Sequence, residues 1–272
     1  MRILLLTIIL TASSTLSAGE TVYSFGIVPQ QAASKLAKVW SPILEYLERE
    51  TDFEIRFETA RNIPTFEQRV SAGAYDIAYM NPYHFTVFNQ DPGYQALARA
   101  RDKRIKGILV VRKDSPIQSI DALDNMTMAF PAPAAFAATI LPRGELVANG
   151  NHIEPKYVSS HDSVYRSVAR GLYPAGGGVM RTFLSLDAEI RDQLRILWTT
   201  DGYTPHAIAT SATFPDEART RLQAALTAME QSEEGRRLLD NLKIKGFEAA
   251  RNEDWDDVRA LNIPLLLETE GQ

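Results

Sequence analysis

Extended and helical patterns alternate along this chain, and that alternation most narrows what it can fold into. Residues 22–28, VYSFGIV, form an apolar extended run ended by Pro29. From Ala33 the apolar residues Leu36, Val39, Trp40, Ile43, Leu44 and Leu47 recur every three or four positions, with Lys35, Lys38, Glu45 and Glu48 between them. That spacing puts an apolar stripe and a charged face on one amphipathic helix. Residues 53–58 read as extended, 64–72 as a helix ended by Gly73, and 75–80 as a buried strand. Strands at 108–111 and 126–130 follow, the second after a short turn capped by Ser119. Helices are predicted at 134–148, 162–170 and 215–229, the first two stopped by Gly150 and Gly171. The pattern predicts βα units around a largely parallel sheet.

A chain of 272 residues that is 45% hydrophobic can bury a sizeable core, here expected in two lobes. No Pro/Gly/Ser-rich linker divides it, and no repeat or low-complexity segment is visible. Two lobes without a linker predict a chain that crosses between them more than once. The expected division is residues 19–110 with 206–272 in one lobe and 111–205 in the other. The crossings, at 111–115 and 204–208, would act as hinges.

Arg2 precedes the apolar run ILLLTIIL, and a small, polar stretch ends in Leu16-Ser17-Ala18. This is the pattern of a secretory signal peptide over residues 1–18, cleaved after Ala18. A membrane-spanning helix needs about 20 apolar residues, more than the run supplies. The mature protein is therefore expected to be soluble and periplasmic. The sequence contains no cysteine, which excludes disulfides, thiolate metal sites, a cysteine nucleophile and lipid attachment. A net charge of −5 with interspersed signs makes nucleic acid an unexpected partner.

The four histidines, His84, His152, His161 and His206, have no metal-ligand spacing. Gly176-Gly177-Gly178 lacks the Lys-Ser/Thr of a phosphate loop and the third glycine of a dinucleotide fingerprint. It reads as a close-packed turn, or as a strand passing a ligand. No G-x-S-x-G elbow is present. No catalytic constellation, metal site or cofactor is expected, and the chain reads as a binder rather than an enzyme.

Eight short motifs stand in a definite order: Gly26-x-x-Pro29, Trp40-x-Pro42-x-x-x-Tyr46-Leu47, Gly73-x-x-Asp76, Asn81-Pro82, Val111-Arg112-x-Asp114-Ser115, Phe130-x-x-Pro133, Leu141-Pro142-Arg143 and Ser160-His161-Asp162-Ser163. Each alone is weak. As an ordered set the sequence resembles the phosphate/phosphite/phosphonate-binding periplasmic proteins of ABC transporters. The resemblance implies the type 2 periplasmic-binding fold, an α/β architecture of mixed sheets flanked by helices, whose two lobes close on a ligand in the cleft between them. It also implies a membrane permease as partner.

Relatives in this family hold their tetrahedral anion with an N-lobe tyrosine, a Ser-x-Ser-Gly turn at a helix start, a histidine and an acidic residue after a glycine. By resemblance His161 matches the histidine. Elsewhere this sequence departs: Ala135, Phe136, Ala137 and Ala138 replace the hydroxyl turn, Phe85 stands at the tyrosine position, and Pro174 takes the acidic place after Gly171. A hydrogen bond to a charged group contributes about 1.5–3 kcal/mol, so these losses predict a degenerate anion site. What remains is an aromatic set, Tyr83, Phe85 and Phe136, with Gln30, Gln31, His84 and Thr139 to orient a ligand. Such a set suits an apolar or cationic small molecule, by stacking or cation–π attraction. Two further functions share this fold: a periplasmic ligand sensor docking on a histidine kinase, and an enzyme. The export signal and the lack of cysteine or a metal cluster argue against the enzyme.

Overall fold

The computed structural model describes residues 22–263, so the export signal expected at 1–18 lies outside the described residues. The first lobe begins with β1 (Val22–Ile27), α1 (Ala33–Thr51), β2 (Glu54–Thr59), α2 (Ile63–Ser71), β3 (Ile77–Met80), α3 (Pro82–Phe88) and β4 (Gln95–Ala100). The second lobe contains β5 (Gly107–Arg112), β6 (Met126–Phe130), a π-helical turn (Phe136–Ile140) running into α4 (Leu141–Ala148), β7 (Ile153–Tyr157), α5 (His161–Ala169), β8 (Ala175–Val179), α6 (Met180–Leu184), α7 (Ala188–Arg191) and β9 (Leu194–Thr199). The chain then returns to the first lobe for β10 (Ala207–Thr210), α8 (Asp216–Ala228), α9 (Glu233–Asn241), β11 (Phe247–Ala249) and α10 (Asp256–Arg259).

The first lobe's sheet has the order β11-β4-β10-β3-β1-β2, and the second lobe's the order β7-β6-β8-β5-β9. Both sheets are mixed, as the type 2 fold implies, and not largely parallel as the alternation alone predicts. β1 runs parallel to β2 and β3, and β6 parallel to β7 and β8, as βα units demand. β10 is antiparallel to β3 and β4, and β5 antiparallel to β8 and β9. These two strands are the first after each crossing, so each enters its new sheet from the end that faces the other lobe.

The crossings occupy residues 101–106 and 200–206, where Ile105 and Tyr203 exchange backbone hydrogen bonds of 2.8 and 3.0 Å. The first lies earlier than the expected 111–115. The apolar run Ile108–Val111, with every residue fully buried, already belongs to β5 in the second sheet. Accordingly residues 107–110 pair with the second lobe, not the first.

α1 forms where its periodicity places it and buries Leu36, Trp40, Ile43, Leu44 and Leu47. Together with β1, α8 and α9 they form the main core of the first lobe. Each such side chain contributes about 1.5–3 kcal/mol of burial. Two of the ordered motifs turn out to be scaffold. A β-carbon at Gly26 would fall 2.5 Å from the Tyr75 ring, so only glycine lets that ring cross the strand. The Asp76 carboxylate accepts from the Ser24 N–H and hydroxyl at 2.8 and 2.7 Å, while the Asp76 N–H donates to Ser24 Oγ at 2.9 Å.

Candidate functional site

Where the lobes meet, the segments leaving β1, β3, β7 and β8 converge on a small void of about 10 Å³, room for about one water. Gln30 comes from beyond β1, Asn81 from the end of β3, His161 from the start of α5 and His206 from the second crossing; Ala135, Ala137 and Ala138 close the remaining side.

The alanine side is built by a departure from α geometry. The sequence pattern predicts one α-helix over 134–148, but its first turn is π, with Ile140 and Leu141 N–H donating to Ala135 and Phe136 carbonyls five residues back. Pro142 supplies the reason, since it has no N–H to give to the Ala138 carbonyl and its ring would crowd that oxygen in an α-helix. Ala138 and Ala137 turn their carbonyls onto Gly177 and Gly107 instead, where a β-carbon would meet each oxygen at 1.9 Å. The triple glycine is therefore a strand, β8, with Gly176 against Val164, Gly177 beneath the π turn and Gly178 against Tyr165. The first N–H groups of the turn, those of Phe136, Ala137 and Ala138, have no intrahelical acceptor.

A polar network joins the lobes around the void. Arg181 Nη2 donates to Gln30 Oε1 at 2.5 Å, which leaves Gln30 Nε2 to donate to His206 Nε2 at 2.9 Å. His206 must then accept on Nε2, as a neutral ring. The His161 N–H donates to the Gln30 carbonyl at 3.3 Å. Asn81 caps α3 by accepting the His84 N–H at 2.8 Å, and its amide reaches across the cleft to the Ala134 carbonyl at 3.1 Å. Lys35 and Asp162 form an ion pair between the lobes at 3.6 Å.

The two cleft histidines are held neutral. Burial, with the Arg181 charge adding to it, lowers the His161 imidazole from its ordinary value to about 3. Burial, then Arg181, His84 and His161, lower His206 well below the ordinary range. His161 is 2% exposed and its Nδ1 has no hydrogen-bond partner. A buried polar nitrogen without a partner is costly in isolation and is a natural ligand contact.

Of the residues the sequence analysis put forward, Gln30, Ala135, Ala137 and His161 meet at this void. The others lie elsewhere. Phe136 points away and meets Tyr203 edge-on at 5.6 Å. Phe85 lies in the first lobe's core with its ring 4.5 Å from that of Trp255, and Tyr83 is buried in the same cluster. His84 is fully buried with Nε2 2.9 Å from Glu67. The Thr139 hydroxyl donates to the Ala132 carbonyl at 2.8 Å, locking the π turn rather than facing the void. Gln31 lines an outer groove with Lys35, Lys38 and Arg181. Sequence reasoning missed Arg181, Asn81 as a cleft residue, and His206. Arg181 had one legible signal, its place just after a strand whose end faces the cleft.

The sequence matches the family described as ABC transporter, phosphonate, periplasmic substrate-binding protein over residues 25–255. The chain belongs to that family. Family members are substrate-binding components of transporters, not enzymes. A phosphate-import protein of Mycolicibacterium smegmatis is 21% identical over 215 residues, 70% of this chain and 66% of that protein, so the match spans just under two thirds of the relative's length. The fold is that of solved type 2 periplasmic-binding proteins. A binding component of an ABC phosphonate transporter from Pseudomonas aeruginosa superposes with a TM-score of 0.83 at 17% identity, over 89% of this chain and 86% of that one. The PhnD1 protein of Prochlorococcus marinus, in complex with methylphosphonate, superposes with a TM-score of 0.81 at 19% identity, over 89% and 98%. The ordered motifs and the two-lobed α/β reading thus agree with the family and the fold. Among the described residues no helix is long and apolar enough to cross a membrane.

Proposed function

We propose that this protein captures a small phosphonate- or phosphate-type anion in the periplasm and hands it to the permease of an ABC transporter. The observation that carries this reading is the meeting, at one small void between the lobes, of the π turn's alanines with His161, whose buried Nδ1 has no partner. Helix-start N–H groups favour anions, and a neutral His161 with the proton on Nδ1 donates a further hydrogen bond. Gln30 and Asn81 amides complete a donor-rich wall, with Arg181 one hydrogen bond away through Gln30. A cationic ligand is opposed by Arg181. An apolar ligand would strand the polar groups of the wall. Residues of both lobes line the void, so the lobes part to admit a ligand.

The alanines make this a hydroxyl-poor version of the site. Each hydroxyl regained beside an anion contributes about 1.5–3 kcal/mol. Calorimetry with phosphate, phosphite and methylphosphonate should therefore show binding to the unmutated protein, and the double variant Ala135→Ser/Ala137→Ser should tighten it by about tenfold or more. Binding of none of these anions would overturn the anion reading. Tight binding that the serines leave unchanged would show that backbone N–H groups and His161 suffice.

A further inference from the structure

Beside the central void lies a second, larger cavity of about 210 Å³ that opens sideways between the lobes. The two share the lining residues Ile105, Val179 and His206, so they adjoin. Its inner walls are apolar: Tyr79, whose ring stacks on His206 at 4.9 Å, with Ala100, Met180, Pro205 and Ile244. Five cationic residues, Lys103, Arg104, Lys106, Arg181 and Lys243, are also among its lining and no carboxylate is, in a chain whose net charge is −5.

The cations are not all engaged by protein groups. Arg104 is held by Asp257 at 2.8 Å, and Lys103 donates to the Lys243 carbonyl at 3.2 Å. The ammonium groups of Lys106 and Lys243 make no hydrogen bond or ion pair among the described residues. Arg181 uses one nitrogen on Gln30 and faces both this cavity and the outer groove in front of α1. One sign of charge gathered around a low-dielectric cavity focuses its field there.

We propose that this cavity is a subsite for the ligand's substituent, and that it selects phosphonates or phosphate monoesters carrying a second anionic group, such as a carboxylate, on a short apolar stem. The inference rests on the phosphonate-type reading of the central void. The phosphonate head occupies the void, the stem passes Ile105 and Val179 along the Tyr79 face, and the terminal anion meets Arg181, Lys106 and Lys243. Arg181 is the specificity-determining residue, because it alone among these cations also bonds to a residue lining the void.

Calorimetry with methylphosphonate and 3-phosphonopropionate separates the two readings. The unmutated protein should bind the carboxylated compound at least tenfold more tightly, with the steeper loss of affinity as salt rises. Arg181→Met should erase that preference, Arg181→Lys should keep most of it, and the exposed pair Lys106→Ala/Lys243→Ala should reduce it severalfold. A merely structural role for Arg181 would weaken both compounds equally and leave their ratio intact, which would overturn the subsite. Equal affinities for the two compounds in the unmutated protein would overturn it while sparing the central void. Binding of neither compound would overturn both readings.

Discussion

Gly177 lies directly under Ala138, so close that a β-carbon on the glycine would come within 1.9 Å of the alanine's carbonyl oxygen. A strand of the second lobe and the turn that walls the void are thus in backbone contact, and the position of the turn is set by the absence of a side chain. Gly177→Ala should displace the π turn at a cost of about 1–3 kcal/mol or more, the usual range for overpacking. A lowered urea midpoint, together with weaker methylphosphonate binding, is the expected result. An unaltered midpoint would mean that the turn yields freely.

Asn81 serves two structures at once, as the cap of α3 and as the donor to Ala134 across the cleft. Replacing it with alanine should cost about 0.5–2 kcal/mol for the lost cap. It also leaves the buried Ala134 carbonyl without that donor, which loosens the lobes. Small-angle scattering should therefore show a larger radius of gyration for unliganded Asn81→Ala than for the unmutated protein, with circular dichroism unchanged.

Acid should destabilise the protein through its buried imidazoles. His161 in the folded chain stays neutral down to about pH 3, and His206 is shifted the same way, while an unfolded imidazole takes up its proton near 6.5. Arg181 disfavours a positive charge on both rings, and on His206 the neighbouring His84 and His161 imidazoles add to the effect. Above about 6.5 the folded and unfolded states bind equal numbers of these protons. Below it the unfolded state binds more, so stability falls as pH drops from 6.5 toward 3. At pH 5 the neutral His161 costs about 2 kcal/mol, and His206 adds to the loss in the same direction. Urea midpoints measured between pH 8 and 5 should decline below 6.5, and His206→Gln should flatten the decline. Midpoints independent of pH over that range would contradict the buried neutral rings.

The interlobe pair Lys35–Asp162 should matter much less. Its lysine side chain is 37% exposed, and such pairs contribute about 0–1 kcal/mol, screened by salt. Lys35→Ala should change the melting temperature by no more than a degree or two and leave methylphosphonate affinity within about threefold.

What could be read from the order of residues alone was whatever neighbouring residues decide among themselves. The stripe from Leu36 to Leu47 specifies α1, and the ordered motifs identify the family and its fold. His161, which lines the void, was put forward because it sits inside such a motif. The cleft itself was not, because it is made of contacts between residues far apart in the chain: Gln30 with Arg181, Gln30 with His206, Asn81 with Ala134. The π turn escaped for the same reason. Pro142 forbids the α register locally, but only Gly107 and Gly177, brought up from two other strands, leave room for the displaced carbonyls. The aromatic residues near the turn could not be sorted into ligand wall and core from spacing, since Phe85 and Phe136 acquire their partners Trp255 and Tyr203 only when the chain returns from the second lobe. Local pattern therefore determined the elements and the lineage, whereas the site's charge and shape were decided by tertiary contacts, because an enclosed cavity is a property of surfaces that meet only after folding.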